Sequence, residues 1–325
     1  MILITGGAGF LGSLVLKELN NLGREDIVVV DRLYDSIKWL NLRGLKYREY
    51  VHADDFFSGS FDHLFDEVDF IFHMGASSAT TEMDMDYLMT NNLNYSKNLF
   101  TLATVKQIPI VYASSAATYG DGELGYDDNE EEISKLLPLN PYGYSKQLFD
   151  EWVLKQAERP KHWFGLKFFN VYGPNEYHKK EMRSLVHKAY EQILETGEVK
   201  LFKSHREGYE DGEQLRDFIY GVDAAKAMIE MMNPSSSKFS GIYNIGTGEA
   251  RSFKDLVVAT FKAMDKEVNI TYIDMPEKLR GQYQYYTKAE MNKFLKFLPN
   301  FKFKSIEEGV TDYVQNYLMR DKPYA

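Results

Sequence analysis

Short apolar runs alternate with amphipathic stretches through the first half of the chain. Residues 2–5, 27–30, 70–73, 108–113 and 164–169 are apolar or β-branched segments of strand length. Between them, apolar positions recur at helical spacing near 10–22, 87–104 and 141–156. Strands apolar on both faces and separated by helices predict an α/β fold of Rossmann type, with a doubly wound parallel sheet. After Asn170 the pattern loosens. Strands are expected at 217–220, 241–245 and 268–272, and helices near 182–195, 222–232, 253–264 and 306–318. The expected organisation is a first domain over 1–170 and a smaller α/β lobe over 171–325. A segment near 215–246, Phe218 onwards in particular, is expected to return to the main sheet.

Gly6-Gly7-Ala8-Gly9-Phe10-Leu11-Gly12 follows the first strand directly and opens the first helix. Glycines at 6, 9 and 12 let the backbone turn tightly. They also let a pyrophosphate approach the helix N-terminus, where free N–H groups and the dipole favour an anion. A second strand ends at Asp31, where an acid can take the adenosine ribose hydroxyls. The first domain is therefore expected to bind a dinucleotide. Asp31 alone favours NAD. Arg32 follows it, with Lys38 six residues further on. Two cations beside the ribose can neutralise a 2′-phosphate, and this charge argument favours NADP. Asp54 or Asp55, after a third strand run, is expected to face the adenine.

Length and composition narrow the classes. The 325 residues are 44% hydrophobic and 26% charged, which suits a folded chain rather than a disordered one. Net charge is −10 without a basic block, so nucleic acid is not an expected partner. Cysteine is absent, which excludes disulfides, thiolate nucleophiles and zinc–thiolate sites. The seven histidines form no ligand cluster, so no metal site is expected. No apolar run approaches the ~20 residues that cross a bilayer, and no signal peptide precedes the first strand. The expectation is a cytoplasmic protein with no membrane partner. Residues 121–132 hold seven carboxylates and 204–214 are polar; both read as solvated loops, either of which can border a cleft.

Tyr142-Gly143-Tyr144-Ser145-Lys146 places Tyr142 and Lys146 four residues apart on one helix face. Lys146 is expected to lower the phenol's pKa and to reach the nicotinamide ribose. Tyr144 is a decoy, because Leu148 stands four residues beyond it. Ser114 and Ser115 end a strand upstream, where a hydroxyl can bond a substrate oxygen.

Glycine loop, strand-end serine and Tyr-x-x-x-Lys, in that order, resemble the extended short-chain dehydrogenase/reductase superfamily. The resemblance implies that Ser115, Tyr142 and Lys146 are catalytic. It also implies that Gly75-Ala76 forms the nicotinamide-side turn and that Asn91 and Asn92 lie in its helix-asparagine region. Nucleotide-sugar dehydratases of the superfamily carry Asp-Glu where Ala116-Ala117 stand here, so dehydration is disfavoured and epimerisation remains. Ser77–Glu82, Phe168–Lys179, Arg216-Asp217-Phe218 and Gly281–Gln284 further resemble the ADP-L-glycero-D-manno-heptose 6-epimerases, along essentially the whole chain. That likeness implies inversion at carbon 6 of ADP-heptose, for the lipopolysaccharide inner core, through a 6-ketone with bound NADP in a homopentamer. It implies a second base at Lys179, which also borders the cofactor with Val171. Ser77, Ser115, Asn170, Phe202, Arg216 and Tyr283 then contact substrate. In that family an arginine follows Gly-Pro, whereas here Asn175 stands, and the 204–214 loop is longer. Read from its residues alone, Lys179 is one solvated charge among several, and only the resemblance makes it a base. A 4-epimerase or reductase, or a non-catalytic dinucleotide sensor, remains the alternative reading.

Overall fold

The computed structural model describes residues 1–59, 61–280 and 283–325. Twelve strands occur among them: β1 Ile2–Thr5, β2 Ile27–Asp31, β3 Glu49–His52, β4 Phe70–His73, β5 Ile110–Ser115, β6 Trp163–Phe168, β7 Asn170–Tyr172, β8 Val199–Phe202, β9 Leu215–Tyr220, β10 Gly241–Ile245, β11 Ala250–Ser252 and β12 Ile270–Ile273. Seven form one sheet in the order β10-β6-β5-β4-β1-β2-β3, and every pairing in it is parallel. The central strands are buried along their whole length, as their unbroken apolar sequences require. The strand order reverses between β1 and β4. In an open α/β sheet a crevice forms outside the carboxyl ends of strands at such a switch point.

Helix α1 (Phe10–Asn21) buries Leu14, Val15, Leu16 and Leu19. The predicted helix near 87–104 is a continuous rod of α2 (Met85–Leu88), a π segment (Met89–Asn94) and α3 (Tyr95–Lys106). The π segment carries the two asparagines, and such insertions often mark functional positions. Helix α4 (Pro141–Lys155) starts cleanly: Asn140 accepts from the Gly143 N–H at 2.8 Å, and Pro141 occupies the first turn.

The remaining strands form a three-stranded sheet, β11-β9-β7, and a two-stranded one, β12-β8. The strand containing Phe218 thus lies in the small sheet and not in the main one. What returns is the chain after it: helix α6 (Gly221–Glu230) packs against α1, and β10 extends the main sheet beside β6. The structure also contains α5 (Leu185–Thr196), α7 (Phe253–Ala263) and a C-terminal helix, Ile306–Tyr313. The acidic loop is only partly solvated. Tyr126 and Asp128 are buried within it, and Asp128 accepts from the Asn244 N–H at 2.8 Å.

Candidate active site

A cleft of about 890 Å³ runs from the glycine turn to Arg216. Its first wall is the switch point itself. Gly6 has φ +67°, and a Cβ there would lie 2.5 Å from the Gly75 nitrogen. A Cβ on Gly12 would lie 2.2 Å from the Gly6 carbonyl oxygen. Gly6 and Gly75 therefore let the turns after β1 and β4 touch, while Gly12 lets α1 close onto the turn from behind. Gly6, Gly9, Phe10 and Leu11 line the cleft beside Gly75 and Ala76; Gly12 does not. Backbone N–H groups of the uncapped first turn of α1 face this space. These features fit a dinucleotide pyrophosphate.

Asp31 ends β2 and is buried. Its carboxylate accepts from the Ala8 N–H at 2.8 Å and the Arg32 N–H at 2.7 Å, and Lys38 Nζ lies 2.5 Å away. Arg32 follows Asp31 and lines the cleft. Its Nε donates to Asp54 Oδ1 at 2.7 Å, its Nη2 also donates there, and its Nη1 donates to Asn91 Oδ1 at 2.9 Å. That contact raises the guanidinium's pKa and lowers that of Asp54. Asp54 is thus a partner of Arg32 and not a lining residue; Ala53 lines the cleft in its place. Asn91 lines it too. Asn92 is buried and holds the next turn, accepting from the Ser77 N–H at 2.8 Å and donating to the Ser77 carbonyl and Ser145 Oγ, both at 3.0 Å.

The middle of the cleft carries Ser115, Tyr142 and Lys146. Burial raises the Tyr142 phenol's pKa, outweighing the neighbouring Ser115, which acts the other way. The net shift of Tyr142 is thus upward, whereas the helical spacing to Lys146 led to the expectation of a lowered pKa. Lys146 Nζ donates to the Ala113 carbonyl at 2.8 Å, and burial pushes its pKa down to about 8 against the opposing field of Asp150. Tyr144, by contrast, is 48% exposed.

A buried polar network that sequence reasoning missed underlies this centre. Asp150 Oδ2 pairs with Lys167 Nζ at 2.7 Å and accepts from Ser114 Oγ at 2.7 Å. Lys167 also donates to Thr118 Oγ1 at 2.8 Å, and Tyr112 OH donates to Asp150 Oδ1 at 3.2 Å. The available signal was a lysine inside an otherwise apolar strand.

Lys179 comes from the chain after β7. The backbone turns at Asn175, φ +72°, whose Nδ2 donates to Ser13 Oγ at 2.9 Å and whose Oδ1 accepts from the Ala325 N–H at 3.0 Å. Asn175 thus fastens the arm, which is a positioning task. Glu176 anchors its far side, accepting from the Ser184 N–H and Oγ at 2.6 Å and from Tyr313 OH at 3.0 Å. Lys179 reaches the cleft with its Nζ 5.5 Å from the Phe10 ring centroid. Burial lowers its pKa, opposed by Glu176. His178 beside it is pushed down to about 4, chiefly by burial.

The far end holds Arg216, which is buried and flanked by Tyr283 at 5.3 Å and Phe253 at 5.5 Å. Among the described residues its donors reach carbonyls, Leu215 O at 2.8 Å and Gln284 O. Among the described residues no carboxylate pairs with it. A buried cation without an acid is suited to an anionic ligand. Ser77, Asn170 and Val171 line the same cleft, as do Tyr34, Tyr87 and Met182, which sequence reasoning did not single out. Phe202 lies outside the lining, edge-on to Tyr283 at 6.4 Å. Gly281 and Gln282 lie outside the described residues. Among the described residues there is no metal-ligand cluster, and no helix is long and apolar enough to cross a membrane.

Residues 2–246 match the NAD dependent epimerase/dehydratase family. An ADP-L-glycero-D-manno-heptose-6-epimerase of Fusobacterium nucleatum is 50% identical over the full length of both chains. One of Nitratidesulfovibrio vulgaris is also 50% identical over the full length of both. The crystal structure of the Helicobacter pylori ADP-L-glycero-D-manno-heptose-6-epimerase superposes with a TM-score of 0.81 at 32% identity, covering 97% of this chain and 95% of that one.

Proposed function

This chain belongs to the NAD dependent epimerase/dehydratase family, and from that premise we propose that it inverts carbon 6 of ADP-D-glycero-D-manno-heptose, giving the L-glycero epimer. The observation that carries the reading is the placement of Tyr142 and Lys179 in one cleft, between the glycine turn and the unpaired Arg216. A nicotinamide dinucleotide held in this cleft would supply reversible hydride exchange with carbon 6. Gly6, Gly9 and the first turn of α1 would hold the pyrophosphate, and Asp31, Arg32 and Lys38 the adenosine ribose. The last two favour NADP.

The chain's own residues move the proton. Burial shifts Tyr142 upward and Lys179 downward, which favours the phenol and weakens the hold of the ammonium on its proton. Both side chains line the cleft, and they reach it from different elements. With Lys179 as the amine and Tyr142 as the phenol, Lys179 takes the 6-hydroxyl proton of one epimer and, after rotation about the carbon 5–carbon 6 bond, Tyr142 donates a proton to the same oxygen. This leaves an ammonium and a phenolate, the pair that serves the other epimer, from which Tyr142 takes the proton and to which Lys179 returns one. Ser115 bonds that oxygen, Lys146 orients the ribose, and Arg216 clamps the diphosphate between two aromatic rings. Ala116 and Ala117 offer no acid or base for eliminating water.

Incubation of the purified protein with the D-glycero sugar nucleotide, followed by chromatographic separation of the epimers, tests the reading. An epimer mixture without net change in reduced cofactor is expected. Inversion of a UDP-hexose at carbon 4 instead would replace it. The homopentamer implied by the resemblance belongs to the same proposal, and sedimentation analysis tests it.

A further inference from the structure

The adenosine end of the cleft holds two cations, and each already has an anion. Lys38 is paired with Asp31, and Arg32 with Asp54. The four formal charges sum to zero. Three of the five Arg32 N–H groups are engaged: one each on Nε and Nη2 faces Asp54 Oδ1, and one on Nη1 faces Asn91. The two carboxylates differ in kind. Asp31 is buried and fixed by two backbone N–H groups, whereas the Asp54 side chain is 57% exposed. Arg32 lines the cleft and Asp54 stands behind it.

We propose that Asp54 is a specificity-determining residue that sets the balance between NADP and NAD by competing with the 2′-phosphate for Arg32. This rests on the cofactor site proposed above. A 2′-phosphate carries roughly −1.5 to −2 charges and seeks bidentate guanidinium contacts. To use Arg32 it must displace Asp54 or bind beside it, and both oppose binding. A ribose 2′-hydroxyl is neutral and meets no such opposition. Asp54 therefore handicaps NADP selectively. Arg32→Ala removes the attraction, whereas Asp54→Asn removes only the competitor and leaves the fork free.

The experiment measures dissociation constants for NADP and NAD by fluorescence titration. The proteins are the wild type, Asp54→Asn, Arg32→Ala and the double variant, with unchanged thermal transitions as the check on folding. Asp54→Asn is expected to raise the preference for NADP at least about fivefold through tighter NADP binding, with NAD nearly unmoved. In the Arg32→Ala background the same change should do nothing. A preference that is unchanged or falls in Asp54→Asn, or a gain that persists without Arg32, overturns the proposal. The wild-type ratio reports separately on the NADP reading. A wild type that favours NAD removes that reading, while the shift caused by Asp54→Asn still decides the role of Asp54.

Discussion

The ammonium of Lys167 lies 2.7 Å from a carboxylate oxygen of Asp150, and neither side chain has any exposed surface. Removing one partner strands the other as a buried charge, which costs about 3–5 kcal/mol, whereas replacing both with apolar groups costs far less. Lys167→Met should therefore lower stability by ~3–5 kcal/mol, and Asp150→Leu/Lys167→Met should recover much of the loss. Urea denaturation checks both. A single variant within ~1 kcal/mol of wild type would contradict the pairing energetics.

Tyr142→Phe should reduce epimerisation by ~10²–10⁴, the usual worth of general acid–base assistance. Tyr144→Phe should leave it nearly intact, because that side chain is half exposed and outside the cleft lining. Steady-state rates of the two variants decide between the two tyrosines.

Lys179→Met should block epimerisation while cofactor affinity changes little, since Lys146 and the glycine turn are untouched. With a sugar analogue bearing an aldehyde at carbon 6, either single variant at Tyr142 or Lys179 should retain some redox chemistry. The double variant should retain almost none. Full epimerisation by Lys179→Met would leave Tyr142 as the sole base.

Arg216→Met should raise KM for the sugar nucleotide about ten- to hundredfold, because a charge-assisted hydrogen bond is worth ~1.5–3 kcal/mol. The dissociation constant of the dinucleotide should not move. Titration of each ligand separates the two ends of the cleft.

Stability should fall as pH drops below neutrality. Burial pushes His73 down to about 3, and His178 and His187 down to about 4. In the unfolded chain each regains a pKa near ~6.5. The unfolded state then binds more protons, so the stability present above about pH 6.5 is lost towards pH 4, at most ~1.4 kcal/mol per pH unit for each group. Asp128 acts oppositely: burial pushes it up to about 6, so it offsets one histidine below that pH. Denaturation at about pH 7.5 and about pH 5.5 reads the difference, and equal stabilities would contradict the assignment.

The sheet was legible where strands are apolar on both faces. β1, β4 and β10 span the residues expected from the sequence, 2–5, 70–73 and 241–245. β3 carries an edge pattern, with only Val51 buried, and so lacks that signature. β7 and β11 have three residues each, too few to show any period. Within the site, residues joined by local spacing were readable: the turn at Gly6, and Tyr142 with Lys146. Pairs distant in sequence were not. Nothing local indicates that Lys167 meets Asp150 or that Asp54 faces Arg32, since the first depends on how α4 packs on β6 and the second on which strand ends become neighbours. Tyr142 shows the remaining limit, because helical spacing located its lysine but carried no information about how deeply the phenol is buried.

The amide of Asn41 donates to the Ala8 carbonyl at 3.0 Å and to the Asn175 carbonyl at 2.9 Å, with His178 Nδ1 at 3.3 Å. One side chain thus works as a strut between the glycine turn and the arm that carries Lys179. Slack at either end is felt at the other. The arm is consequently moored at two points, to the glycine turn through Asn41 and to Ser184 and Tyr313 through Glu176, so that Lys179 is steadied from both sides of the stretch that carries it.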